Sequence, residues 1–231
     1  MVLDLINQNK WKRPIYFAVS VASDAYVGLE KFFRLEGLTY RVVPVSTRNN
    51  EGFYGYVDTE RMYDNLMNKF KFGGIDAEDD IYLDEGILRM ALNLRIQYSR
   101  LAQALIEKNE LEKAKKVLNR CLDVLPEKNV PYNMIMMQYI SLYYEVGENE
   151  KAQSIALKMI ENLEQKTAFY NRVSEDYEGN LRHYKDDYRQ NGAIAQNIMR
   201  NIQVYDKEFA KEVKPRLEES LIQLQMLGQK I

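Results

Sequence analysis

The chain of 231 residues holds one cysteine, one histidine, one tryptophan and five prolines, and its 32 basic and 34 acidic residues leave a formal charge of only −2. With Cys121 alone, neither an intrachain disulfide framework nor a cysteine-cluster metal site can form. His183, in HYKDDY, has no second histidine, serine or cysteine placed to complete a triad or a metal pair. No glycine-rich phosphate loop is present either, because Gly73-Gly74 is not followed by Lys-Ser/Thr. Acids and bases alternate along the chain, so the basic footprint of a nucleic-acid binder is missing. The longest apolar run, Ile15 to Ala22, is broken by Ser20 and falls far short of the roughly 20 residues that span a bilayer. Met1-Val2-Leu3-Asp4 lacks the basic and apolar regions of a signal peptide. These absences leave no expected catalytic residue, cofactor or metal, and no nucleic-acid partner.

What is present is helical periodicity with an internal repeat. Tyr98, Leu101, Ala102, Leu105, Ala114, Leu118, Cys121 and Pro126 follow the large-small spacing of a tetratricopeptide repeat. Met136, Tyr139, Ile140, Tyr143, Ala152, Ala156 and Met159 repeat it, with Gly147 matching Asn109 at the turn. Helices are predicted at about 86–107, 111–125, 131–146 and 149–165. The second copy departs from the pattern: Ile140 replaces a small residue, Glu164 replaces the closing proline, and Ala114 to Ala152 is longer than one repeat. Lengthening a loop costs little closure entropy, so the extra residues are assigned to the loop around Glu127 to Val130.

Before the repeats, Pro14 to Val21 and Thr39 to Val45 are rich in β-branched and aromatic residues and read as strands. Between them Tyr26, Leu29, Phe32, Phe33 and Leu35 recur near helical spacing up to Gly37, which predicts a βαβ unit with parallel strands. Ser46 to Gly55 is turn-rich, and Asp58 or Thr59 can cap a helix running to about Phe70. The acids Asp76, Glu78, Asp79, Asp80, Asp84 and Glu85 suit a helix N-terminus and a pairing with Arg89 better than a calcium loop, whose central glycine is missing. After the repeats, helices are expected at about 167–189 and 191–227, with a kink or break at Pro215. The predicted fold is α+β. A βαβ-containing unit spans 1–75, two tetratricopeptide-like repeats span 76–166, and capping helices span 167–231, because two stacked repeats alone leave an apolar face open.

If the repeats bind a polypeptide, the inner surface of their first helices is the place. It would present Ile96, Ser99, Gln103 and Ile106 from copy one, and Met134, Met137, Ser141 and Tyr144 from copy two. Ser99, Gln103, Met134, Met137, Ser141 and Tyr144 are therefore the candidate partner-binding residues. Repeats that clamp an acidic tail carry lysine and asparagine where this chain has Ser99 and Gln103, so methionine and tyrosine contacts are expected instead. Tyr139 and Tyr143 fit core positions, whereas Tyr132, Tyr144, Tyr177 and Tyr188 are free to line a groove. Trp11, Lys12 and Arg13 form a candidate membrane-proximal group, an amphipathic aromatic beside bases. The alternative places Trp11 beneath the first strand and Arg13 against an acid.

Several longer segments carry a resemblance: NKWKRPIYFAVSV from Asn9, GLEKFFRLEGLTYRVVPV from Gly28, MYDNLMNKFKFGG from Met62, DIYLDEGILRMALNLR from Asp80 and RLAQALIEKNELEKA from Arg100. Together, over about residues 2 to 165, they resemble the C-terminal region of a bacterial multi-spanning family known as domain of unknown function 2723. That family is similar to membrane glycosyltransferases of the protein O-mannosyltransferase type, whose catalytic acids lie in the transmembrane half. The resemblance implies that no catalytic residue lies here, that Met1 is not the native start, and that the module faces the periplasm. Two functions follow as expectations. One is an interaction scaffold binding acceptor polypeptide or a partner. The other is a structural part packing on its own transmembrane domain or forming a homo-oligomer. A stand-alone sugar-binding or hydrolytic domain would need a cleft with paired carboxylates that the sequence does not mark.

Overall fold

The computed structural model describes residues 2–46, 54–77, 81–176 and 183–229. It is a mixed α+β protein with a small four-stranded N-terminal sheet and eight α-helices among the described residues. Two compact units divide at Val130/Pro131, between the two predicted repeat hairpins rather than near residues 75 and 166. The parts of Ser46–Gly55 and of the acidic stretch that include Glu78, Asp79 and Asp80, together with Tyr177, lie outside the described residues.

In the first unit α1 (Val2–Asn9) precedes strands β1 (Ile15–Ala18), β2 (Phe33–Leu35), β3 (Thr39–Val42) and β4 (Tyr56–Val57). The sheet order is β1-β3-β2-β4, with β3 antiparallel to both neighbours and β4 parallel to β2. The expected βαβ unit is therefore not formed. Between β1 and β2 the chain makes two short 3-10 turns, Ser23–Tyr26 and Glu30–Phe32, separated by left-handed Val27 (φ 51) and Gly28 (φ 78). The helical spacing of Tyr26 and Phe33 serves an aromatic cluster instead. Phe17, Tyr26, Phe33 and Tyr40 pack ring to ring at centroid distances of 5.0 to 6.1 Å. Burying each such ring is worth roughly 2–3 kcal/mol, more than the propensity of a marginal eight-residue helix can offset. Gly37 (φ 131) turns β2 into β3, and an added Cβ there would meet the Phe70 ring at 3.1 Å.

Asp58 caps α2 (Thr59–Asp64) by accepting from the Arg61 amide at 3.1 Å, and the helix widens into a π turn over Asn65–Lys69. Asp84 likewise caps α3 (Glu85–Glu107) through the Ile87 amide at 2.8 Å, and Glu85 pairs with Arg89 at 3.2 Å. From α3, Arg100 reaches the Tyr40 hydroxyl (3.1 Å) and the Tyr54 carbonyl (2.6 Å), while Tyr98 donates to the Leu66 carbonyl (3.0 Å). The sheet and α2 are thus tied to one helix. Helix α4 (Leu111–Val124) returns along α3.

The loop after α4 is not slack. Leu125, Asn129 and Val130 are buried. Asn129 donates to the carbonyls of Ile75 (2.8 Å) and Ala77 (3.2 Å), and fully buried Arg95 donates to those of Leu125 and Val130.

The second unit is four helices: α5 (Met136–Glu145), α6 (Asn149–Asp176), α7 (Lys185–Tyr205) and α8 (Lys207–Gln229). The hairpins α5/α6 and α7/α8 stack, α7 lying on α5 and α6 and α8 on α6. The predicted end near residue 165 is absent, since α6 runs on through Thr167, whose hydroxyl bonds back to the Leu163 carbonyl at 2.8 Å. Pro215 sits within α8, and the break falls at Asp206, whose carboxylate caps α8 by accepting from the Phe209 amide at 3.0 Å. An aspartate cap fixes where the new helix starts.

The repeat spacing has a structural counterpart in each unit. The apolar signature residues from Tyr98 to Cys121 and from Met136 to Met159 are buried. Both first helices also end identically. Asn109 (φ 59) and Gly147 (φ 78) are left-handed, and Glu110 and Glu148 donate back five residues to Leu105 and Tyr143, each at 2.8 Å.

Candidate functional site

Alternation along the strands sends Phe33, Leu35, Tyr40, Val42 and Val57 into the core and the residues between them to the opposite face. The register then lines up one residue per strand. Tyr16 pairs with Arg41, Arg41 with Arg34, and Arg34 with Tyr56. The outer face carries a row of tyrosine, arginine, arginine, tyrosine, with the rings 44% and 45% exposed.

Glu36 lies beneath this row, 6% exposed. Its Oε1 accepts from Arg34 (2.7 and 3.0 Å) and Arg61 (3.4 Å), its Oε2 accepts from the Tyr16 hydroxyl (3.2 Å), and Arg41 approaches at 3.6 Å. Asp58 pairs with Arg34 at 3.4 Å and Arg61 at 3.5 Å. Three guanidiniums face two carboxylates, which leaves one positive charge. Arg41, 28% exposed at its side chain, is the least committed of the three, because its approach to Glu36 exceeds hydrogen-bond length. A partly exposed guanidinium beside a phenol ring can take a carboxylate or a backbone carbonyl and stack flat groups next to it.

The sequence-predicted residues lie elsewhere and in different units. Ser99 is fully buried and its hydroxyl bonds to the Ile96 carbonyl at 2.9 Å; Gln103, one turn on, is half-buried. Met134, Met137, Ser141 and Tyr144 do share one face, and α7 lies on it. Asn197 Nδ2 stands 3.7 Å from Met134 Sδ. Asn201 Nδ2 donates to the Met137 carbonyl (3.2 Å) and the Ser141 hydroxyl (2.8 Å). Tyr205 stacks on Tyr144 at 5.2 Å. The spacing 197, 201, 205 is one helical face laid along another. Burial raises the Tyr144 phenol to about 12, with nearby Asp206 adding to the effect.

At the N-terminus Trp11 (φ 60) is 45% exposed, and Lys12 and Arg13 are exposed with it. Asn9 holds the turn by donating to the Arg13 carbonyl (2.6 Å) and accepting from its amide (3.2 Å). Helix α1 buries none of its side chains, and Leu3 and Leu5 are 60% and 53% exposed. His183 is exposed just before α7, and Cys121 is a buried thiol.

Residues 1–61 match a family model described as TMEM260-associated domain 2. No curated protein and no solved structure matches the chain. The match covers the N-terminal quarter, and Tyr16, Arg34, Glu36, Arg41, Tyr56, Asp58 and Arg61 all lie inside it. Its description points to a domain associated with a membrane protein, while no described helix of this chain is long and apolar enough to cross a membrane.

Sequence reasoning missed the tyrosine-arginine row. The available signal was the period-two alternation within IYFA, FRL and TYRV, but a shared row also needs the register between strands, which no local pattern carries.

Proposed function

We propose that this chain is a non-catalytic accessory module of a membrane-associated protein, with a structural role, docking through the outer sheet face onto another part of its parent. The observation that carries this reading is Asn201 bridging Met137 and Ser141. The face that a peptide-binding repeat would offer is taken up by the chain's own α7. The sheet face, in contrast, keeps Tyr16, Arg41, Arg34 and Tyr56 at least partly exposed. The match over residues 1–61 supports a membrane-associated parent. A glycosyltransferase-like parent with this module on the periplasmic side rests on the sequence resemblance alone.

The test is site-specific photo-crosslinking in the full-length parent within its native membrane, with the reactive residue at Tyr16, Tyr56 or Ser141. Crosslinks from positions 16 and 56 to segments of the parent outside this chain, and from 141 only to α7, are the expected result. Capture of separate polypeptides from 16 and 56 would overturn the structural reading in favour of an acceptor- or partner-binding scaffold.

A further inference from the structure

The hairpin α7/α8 uses one side to pack on α5/α6, and its other side is a groove. A cavity of about 590 Å³ is lined by Met199, Arg200, Lys207, Ala210, Lys211 and Lys214, among others. A second of about 350 Å³ continues from it through shared Gln196 and Leu221 to Tyr188, Arg189, Gly192 and Gly228. From Tyr188 to Gln203 the groove follows α7 for 15 residues, about 22 Å at the helical rise. That length fits a helix of four turns.

Its chemistry is specific. Met199, Ala210, Leu221 and Leu224 supply an apolar floor. Arg189, Arg200, Lys207, Lys211 and Lys214 surround it, and Glu218 is the one acid in the lining. Lys211 and Lys214 each have an exposed acid nearby, Glu208 at 2.7 Å and Glu218 at 3.5 Å. Among the described residues, Arg189, Arg200 and Lys207 have no ion-pair partner. At Gly192 the groove is open, since a Cβ added there would meet nothing within 4 Å, whereas Gly228 lies against the Tyr188 ring, whose hydroxyl an added Cβ would meet at 3.2 Å. The neighbouring hairpin shows how such a groove is used, since α7 itself lies against both α5 and α6.

We infer that the α7/α8 groove binds an amphipathic helix of a partner polypeptide, apolar on one face and flanked by aspartate or glutamate. The apolar stripe seats over Met199, Ala210 and Leu221, and the flanking acids meet Arg200, Lys207 and Arg189. This site is separate from the sheet face, and neither depends on the other.

The experiment titrates the whole chain with a fluorescein-labelled 18-residue peptide that forms a leucine stripe flanked by glutamates. Its controls are the same peptide with lysine for glutamate and a scrambled sequence. The expected result is saturable binding of the glutamate peptide alone, weakened at least tenfold by the double change R200E/K207E and by raising salt from 50 to 300 mM. Gly192→Leu should weaken binding as strongly while leaving the thermal midpoint unchanged or higher, because the substitution fills open groove and removes a helix-interior glycine. Equal binding of the lysine peptide, or binding indifferent to R200E/K207E, overturns the inference. So does a dimer in light scattering that the same reversals dissociate, or binding of the chain to anionic vesicles but not to the peptide.

Discussion

Tyr144 and Tyr205 lie ring on ring, 5.2 Å between centroids with planes 2° apart, and this stack closes the last turn of α5 against the last turn of α7. Tyr205 also donates to Glu145 at 3.1 Å, at the exposed rim. Truncating Tyr205 to alanine removes the stack and part of its burial and should cost about 1–2 kcal/mol. Tyr205→Phe keeps the stack and should cost less than about 0.5 kcal/mol, since an exposed hydrogen bond is nearly replaced by water. Urea denaturation followed by circular dichroism separates the two. Equal losses would mean that the hydroxyl, and not the ring, holds α7 in place.

The same pair has a pH signature. Burial raises the Tyr144 phenol to about 12 and also raises that of Tyr205, where Glu145 contributes. In the unfolded chain a tyrosine ionises near 10. A folded value above the unfolded one means that the neutral phenol is favoured by folding. Its contribution is whole below pH 10 and is lost as pH rises from about 10 to about 12. The Tyr144 hydroxyl is buried without a hydrogen-bond partner. Tyr144→Phe should therefore be neutral or slightly stabilising at pH 7, by up to about 1 kcal/mol, and should lose less stability between pH 10 and 12 than the parent. Denaturation midpoints at pH 7, 10 and 11.5 test both statements.

The helical half of this architecture was legible because its signal is local. The spacings at Tyr98, Ala102 and Leu105, and at Tyr139 and Tyr143, mark buried faces of single helices, and Asn109 and Gly147 mark the left-handed residue that ends each one. What failed to show was long-range. The near-helical spacing of Tyr26 and Phe33 belongs to an aromatic cluster that needs Phe17 and Tyr40 from two other segments. Ser141 and Tyr144 satisfy the pattern of an open groove as well as that of a covered face, and only Asn201 and Tyr205, some 60 residues on, decide between them. Pro215 outweighed Asp206 as a stop signal because a proline is visible from its type alone, whereas an aspartate becomes a cap through its geometry.

Glu36 gathers Arg34, Arg61, Arg41 and Tyr16 around one carboxylate at 6% exposure. Removing its charge leaves the guanidiniums facing one another with only Asp58 between two of them. Glu36→Ala should cost about 2–3 kcal/mol, below the 3–5 typical of a fully buried pair because the arginines reach solvent. Glu36→Gln retains acceptors and should cost less. Added salt should narrow the gap between Glu36→Gln and the parent, since screening relieves the repulsion among the arginines. A gap that salt leaves untouched would point to packing, not charge, as the contribution of Glu36.

Arg95 is fully buried, and its Nη2 donates to the carbonyls of Leu125 and Val130 at the end of α4 and the loop beyond. Those carbonyls lie past the last helical turn, where intrahelical partners run out. Arg95→Met preserves much of the volume but leaves both acceptors without this donor, so it should destabilise by about 2–4 kcal/mol. Amide exchange should rise at 125–130 in the variant and less so at Leu101 or Leu118, which pack between α3 and α4. Asn129→Ala removes the bonds to Ile75 and Ala77 from the same loop and should act in the same direction by about 1–2 kcal/mol. Arg95 and Asn129 both anchor one loop, so the double variant should lose less than the sum of the two single losses. Strict additivity would show that the loop stays in place when either anchor is removed.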